Sequence, residues 1–175
     1  MNFKIIETER LFLRPVLETD VQDFFELDSN PKVHIFLENK PVKTLIESEA
    51  MVASILQQYK TYGLGRLVLI DKVTNGFIGW SGLKYEENLR KEFSYYDLGY
   101  RLKEQFWGKG YATEAAIASL NYGFSILKLQ EIGAAADVNH IASNSILNKI
   151  GMPFIETFEY KGELCNWYNL KKPSL

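Results

Sequence analysis

The stretch that most constrains this chain runs from Phe93 to Phe124. It begins with a strand-like segment, Phe93-Ser-Tyr-Tyr-Asp-Leu-Gly-Tyr-Arg-Leu102, and passes through Gln105-Phe-Trp-Gly-Lys-Gly-Tyr-Ala112. It continues as a helical run from Thr113 to Phe124. Strand, glycine loop, helix is a backbone arrangement suited to an anion. The first N–H groups of a helix have no intrahelical partner, and the macrodipole makes that end positive. Glycines let the backbone close on a ligand without Cβ clashes. The spacing sets aside two familiar phosphate loops. No glycine lies five residues before Gly108 and Lys109 is followed by Gly110, so this is not Gly-x-x-x-x-Gly-Lys-Ser/Thr. Position 113 is Thr, so it is not Gly-x-Gly-x-x-Gly either.

The rest of the chain reads as one domain over residues 1–175, long enough to bury a sizeable core. A net charge of −2 with no basic run argues against phosphate-driven nucleic-acid binding. No 18-residue apolar stretch and no basic-then-apolar start predict neither a membrane span nor a secretory signal. The single Cys165 has no internal disulfide partner, which fits a reducing cytoplasm. Two histidines and one cysteine, far apart, predict no metal site.

Leu11–Pro15 predicts a strand stopped by proline. Thr19-Asp-Val-Gln22 and Thr44-Leu-Ile-Glu47 read as capping boxes opening two helices. The second has Met51, Ile55, Tyr59 and Tyr62 as its apolar face and ends at Gly63. Arg66–Ile70 and Phe77–Ser81 predict a hairpin around Asn75-Gly76. The helix after the glycine loop presents Ala112, Ala116, Leu120, Phe124 and Leu127 on one face. Glu131–Asp137 predicts a buried strand. Ala142, Ile146 and Ile150 predict a helix closed by Gly151, and two strands near 153–160 and 163–171 meet at Lys161-Gly162. The order β-α-α-β-β-β-α-β-α-β-β predicts a mixed α/β sandwich.

Gln105-x-x-Gly-x-Gly-x-Ala112 resembles the acetyl-CoA signature of the GCN5-related N-acetyltransferases (GNAT). Trp107-Gly-Lys-Gly-Tyr-Ala-Thr-Glu-Ala115 and the opening Thr8-Glu-Arg-Leu-Phe-Leu-Arg-Pro15 are similar to its RimJ/RimL-type branch, which acetylates ribosomal-protein N-termini and other amines. The resemblance covers nearly the whole chain. It implies a twisted, mostly antiparallel sheet of about 6–7 strands flanked by about four helices, with a splay between the strands at 93–102 and 131–138. It also implies acetyl-CoA as co-substrate and no metal.

On that resemblance the pyrophosphate falls to the backbone amides of Gly108, Lys109, Gly110, Tyr111, Ala112 and Thr113, behind Gln105. Lys109 reads equally as a solvated lysine. The pantetheine arm falls to the backbone of Tyr100, Arg101 and Leu102, with Gly99 marking either a bulge or close helix packing. Asp97 is the first candidate for general base, because a carboxylate among Tyr95, Tyr96 and Tyr100 needs a reason. It stands where the histone acetyltransferases carry their basic Glu. Its bland reading is an edge carboxylate paired with an arginine such as Arg101. Glu114 is a weaker candidate, expected in a first turn from the helix dipole alone, and His140 a weaker one still.

Val138–Met152 resembles the family's last CoA segment. Ser143 falls on the family serine and Leu147 where many acetyltransferases have a proton-donating Tyr. Ser143 is therefore the candidate thiolate acid, its bland reading being a bond to its own helix. His140 stands where the family has Asn; Asn139 takes over that role or caps the helix, and Asn144 reaches the pantetheine amides. Phe36, Trp80, Trp107, Cys165, Trp167 and Tyr168 line the acceptor site or belong to the core, and Cys165 is no nucleophile. The expected function is acetyl transfer to a primary amine, on a protein N-terminus or a small molecule, by direct attack in a ternary complex. The alternative is a non-catalytic CoA-binding sensor. The expected partners are the amine acceptor and a second copy in a homodimer, the latter by family analogy.

Overall fold

The computed structural model describes residues 5–172. Two short strands, β1 (Ile6–Glu7) and β2 (Leu11–Pro15), lead into helices α1 (Val21–Asp28) and α2 (Leu45–Tyr62). Strands β3 (Arg66–Asp71), β4 (Phe77–Glu86) and β5 (Tyr95–Leu102) follow. Then come α3 (Tyr111–Ser125), β6 (Glu131–Asp137), α4 (Ile141–Lys149), β7 (Phe154–Tyr160) and β8 (Glu163–Lys171). The strands form one sheet in the order β1-β2-β3-β4-β5-β6-β8-β7. All neighbours are antiparallel except β5 and β6, which are parallel and joined at one residue pair, Asp97 and Gly133. Beyond that pair the sheet parts. This is the expected fold with one more strand: β1, two residues long, is too short to show a period of two.

Helices α1 and α2 cover one face of the sheet. Phe24, Leu27, Val52 and Ile55 pack there on Val68 and Phe77. Helices α3 and α4 cover the other. Ala115 and Ala116 are fully buried, and their small side chains let α3 lie close to the strands, with Leu120 and Phe124 beyond.

Several local expectations need correction. Thr19 caps nothing in α1. The Asp20 carboxylate, gripped by Arg14 at 2.7 and 2.8 Å, accepts the Leu17 N–H instead. Thr44 does cap α2, accepting the Glu47 N–H at 3.4 Å, but the Glu47 carboxylate takes the Lys43 N–H and so only half the box forms. Tyr62 leaves the buried face and donates to Glu87 at 2.8 Å. In α4 the residue facing the core is Leu147, at 1% exposure, while Ala142 is exposed. Ile150 packs against the same cluster, as the spacing predicts.

Candidate active site

The glycine loop follows β5 through a short 3-10 turn, Glu104–Phe106. Gly108 has φ +71° and Gly110, the N-cap of α3, φ +81°. That left-handed cap is open to glycine at little cost. The first amide of α3 to find a carbonyl is that of Glu114, bonded to Gly110 O at 3.0 Å. None of the amides of 108–113 donates to a carbonyl among the described residues. Gln105, Gly108, Lys109 and Gly110 are exposed. A row of unpaired N–H groups on a helix N-terminus, at the surface, is a site for a phosphate-like anion.

Arg10, which sequence reasoning passed over, braces this loop. Its Nη1 donates to Lys109 O at 2.8 Å, and its guanidinium lies 4.3 Å from the centre of the Tyr111 ring. Glu114 is used up in the same brace. It accepts from Thr8 Oγ1 at 2.6 Å, from Arg10 N at 2.8 Å and from Arg10 Nε at 2.6 Å. It ties the N-terminal strands to α3 and is not free to act as a base. Burial alone would raise its carboxyl. The bonds from Thr8 and Arg10 outweigh that and hold it below its ordinary value of 4.5. A carboxyl lowered by folding stabilises the fold above its unfolded value and loses that contribution as the pH falls through the folded one. Glu114→Gln is therefore expected to cost about 1 kcal/mol at pH 7, modest because Arg10 is open to solvent. Urea titrations of both proteins at neutral pH and near pH 3 should show the gap between their midpoints closing in acid.

Asp97 is 8% exposed on the face covered by α1 and α2. Its partner is Arg66, from β3, and not Arg101. Arg66 Nη2 bonds Asp97 Oδ2, and Nη1 donates to Gly82 O and, at 2.7 Å, to Asp97 O. The Arg66 side chain crosses the sheet surface directly over Gly99. A Cβ on residue 99 would stand 2.6 Å from Arg66 Nη2. That close approach explains the glycine. The β4–β5 register runs unbroken through it, so no bulge forms there. Burial and the Asp97 charge push the neighbouring Tyr95 phenol far above its usual range. Arg101 reaches Asp28, which also lies 3.2 Å from His34 Nε2. Burial first, and the Arg101 charge second, push His34 below its ordinary 6.5. Arg66 and Arg101 both lie 5.1 Å from the Trp80 ring. Sequence reasoning missed Arg66, Asp28 and His34.

Ser143 stands on the opposite face. Its Oγ lies 3.0 Å from the Tyr100 phenol oxygen and makes no bond to its own helix, against the bland reading. Asn144 is spoken for. Its Nδ2 donates to Asp137 O and His140 O at 2.8 and 2.9 Å, and its Oδ1 accepts from Asn166 Nδ2 and Tyr168 Oη, each at 2.9 Å. With both protons and both lone pairs used, it clamps α4 to β6 and β8, and no group is left for a pantetheine amide. Asn139 does not cap α4, whose N-cap is His140 without a side-chain bond. His140 stacks on Phe36 at 4.4 Å, and burial lowers it from 6.5 although Asp137 pulls the other way.

Of the aromatic candidates for the acceptor side, Phe36, Trp80 and Trp167 lie on the α1–α2 face or its continuation. Trp107 instead donates to Leu102 O at 2.8 Å beside the glycine loop, and Tyr168 packs into the core under α4. Both drop out of the acceptor site. Among the described residues no cluster of His, Cys, Asp and Glu suits a metal, and no helix is long and apolar enough to cross a membrane.

The arrangement is a helix N-terminus with free amides beside a sheet that parts, with Asp97 on one face of the gap and Ser143 on the other. The family profile described as an acetyltransferase (GNAT) domain matches residues 10–153. The chain belongs to this GNAT family. It is an N-acetyltransferase. N-acetyltransferase p20 of Bacillus licheniformis is 30% identical over 166 residues, covering 94% of this chain and 87% of that one. YkkB of Bacillus subtilis (strain 168) is 30% identical over 159 residues, 90% of each. The GNAT acetyltransferase from Bacillus anthracis superposes with a TM-score of 0.78 at 24% identity, over 97% of this chain and 99% of that one. RimL, the ribosomal L7/L12 alpha-N-protein acetyltransferase in complex with coenzyme A, does so with 0.79 at 20%, over 96% and 98%. GNAT acetyltransferases use acetyl-CoA, and the unpaired amides of 108–113 and the open edge of β5 fit it.

Proposed function

We propose that this acetyltransferase moves an acetyl group from acetyl-CoA to a single primary amine, an N-terminus of a peptide or protein, by direct attack in a ternary complex. The observation that carries the reading is the run of unpaired amides at the start of α3, next to the gap between β5 and β6. The amides of 108–113 hold the pyrophosphate, with Gln105 and Lys109 at its edge. The free edge of β5 at Tyr100, Arg101 and Leu102 guides the arm. Acetyl-CoA supplies the activated acetyl group and a thiol that leaves.

The chain's own residues do the rest. An ammonium must lose its proton before it attacks. Asp97, aimed by its bonds to Arg66, takes that proton through water. Ser143 offers its hydroxyl to the departing sulfur from the other face. The carboxylates of the α1–α2 face favour one ammonium over a polycation. Asp97 and Asp28 are each matched to an arginine. Asp137, beside Cys165 and His140, meets no cation among the described residues. One uncompensated carboxylate suits one amine. Acceptors named for the structural neighbours span this choice: RimL is named for a ribosomal protein, and a spermidine N-acetyltransferase SpeG chimera from Vibrio cholerae and hSSAT for spermidine.

The test is release of free thiol from acetyl-CoA against peptides of varied N-terminal residue, polyamines and amino acids. Peptides are expected to drive turnover. Asp97→Asn is expected to lose about a hundredfold in kcat with CoA affinity kept. Turnover on polyamines alone would overturn the peptide assignment, and an active Asp97→Asn would leave Asp97 only its bond to Arg66.

A further inference from the structure

Leu147, where many acetyltransferases place a phenol, is packed into the core with Ile132 and Tyr168. Helix α4 therefore brings no phenol to the gap. A phenol arrives there from the other side. Tyr100 lies three residues beyond Asp97, on the part of β5 that no longer pairs with β6. Its Oη lies 3.0 Å from Ser143 Oγ and 3.2 Å from Ser143 O. The pair spans the gap on the face where α3 begins. An arm that follows the open edge of β5 from the α3 N-terminus passes beside it.

We propose that Tyr100 is the residue that turns the Ser143 proton toward the leaving sulfur. The phenol is supplied by β5 in place of the helix position held by Leu147. The inference rests on the reading of Ser143 given above. A phenol has one proton. Donated to Ser143 O, it leaves the serine proton to point back at the phenol oxygen. Donated to Ser143 Oγ, it fills a serine lone pair and frees the serine's own proton for the gap. A serine hydroxyl otherwise rotates or bonds its own helix, and here it does not bond its helix.

Burial chiefly, with the nearby Tyr168 and Asp97 adding to it, pushes the Tyr100 phenol to about 12 despite the bond to Ser143. The phenol thus stays protonated and remains a donor throughout the neutral range. As the C–S bond breaks, its electron pair goes to sulfur and is met by the Ser143 Oγ–H. The proton lost by the amine leaves through Asp97 and water, and Tyr100 keeps its own. Tyr100 is a positioning residue, acting through Ser143.

The test uses CoA itself and reads the ionisation of its bound thiol by thiolate absorbance across pH. In the wild type the bound thiol is expected to ionise below the free thiol. Tyr100→Phe should move that midpoint up by about half to one pH unit, the worth of one hydrogen bond. Ser143→Ala should do the same, and the double variant no more than either. Turnover should follow, about tenfold down in Tyr100→Phe, with no further loss when Ser143→Ala is added. Desulfo-CoA should bind all four proteins alike, which reports that the site is intact. Fluorotyrosine at position 100, a stronger donor, should lower the midpoint and covers the case of a poorly folded phenylalanine variant. A Ser143→Ala shift without a Tyr100→Phe shift, or independent losses that multiply, would overturn this inference alone. No change in Ser143→Ala would sink the serine reading with it.

Discussion

Gly110→Val is expected to lower affinity for acetyl-CoA by at least about a hundredfold while leaving the protein folded. Gly110 caps α3 at φ +81°, and a β-branched residue there is an outlier that costs about 1–2 kcal/mol or more. Space is not the obstacle. A Cβ at 110 would stand 3.4 Å from Arg10 Nη2, an ordinary contact. The backbone is the obstacle, and it relaxes by turning the amides of Tyr111, Ala112 and Thr113 away from their common direction. Each bond from an amide to a phosphate oxygen contributes about 1.5–3 kcal/mol. Losing two of them accounts for about two to four decades in affinity. Titration calorimetry with CoA, beside a circular-dichroism melt, makes the measurement. Lys109→Ala, at an exposed side chain, should cost less than about fivefold. Affinity kept within about threefold in Gly110→Val would mean that the amides of 108–113 do not hold the pyrophosphate.

What could be read along the chain was what neighbours in sequence decide. The glycine loop, the alanine face of α3 and the turn at Lys161-Gly162 are local patterns, and each lies where its spacing placed it. The parting of β5 from β6 came from the family resemblance, and the lone Asp97–Gly133 pairing bears it out. Strand β1 escaped because two residues have no period, and the capping of α1 because the Arg14 bond to Asp20 outweighs a local threonine.

The site was half legible for the same reason. Free amides follow from a helix start, so the loop that offers them is visible in the string. Side-chain partners separated by tens of residues are not. Nothing local tells that Arg66 would reach Asp97, that Arg101 would go to Asp28, or that Asn144 would spend its whole amide on four neighbours. Gly99 carried the one available signal. A glycine inside a strand marks a close approach, and what approaches is an arginine crossing from β3.

That arginine makes the second large effect a stability effect. Arg66 and Asp97 side chains are 9% and 12% exposed. Arg66→Ala would leave a buried carboxylate without its cation and take the Nη1 donor from the carbonyls of Gly82 and Asp97. Breaking one side of such a pair costs about 3–5 kcal/mol, a large share of the 5–15 kcal/mol that typically holds a domain together. At about 2–4 °C per kcal/mol for a chain of this size, the melting temperature should fall by about 6–20 °C. Replacing both partners with apolar residues, Arg66→Met with Asp97→Leu, should recover much of that loss, because no charge is then left buried. Asp97→Asn keeps a hydrogen-bonding partner for Arg66 and should melt closer to the wild type while turnover falls. On the mechanism proposed above, that split would separate two roles of one carboxylate: its bond to Arg66 for the fold, and its charge for the reaction. An Arg66→Ala protein that melts within about 2 °C of the wild type would show that the pair does not anchor β3 to β5.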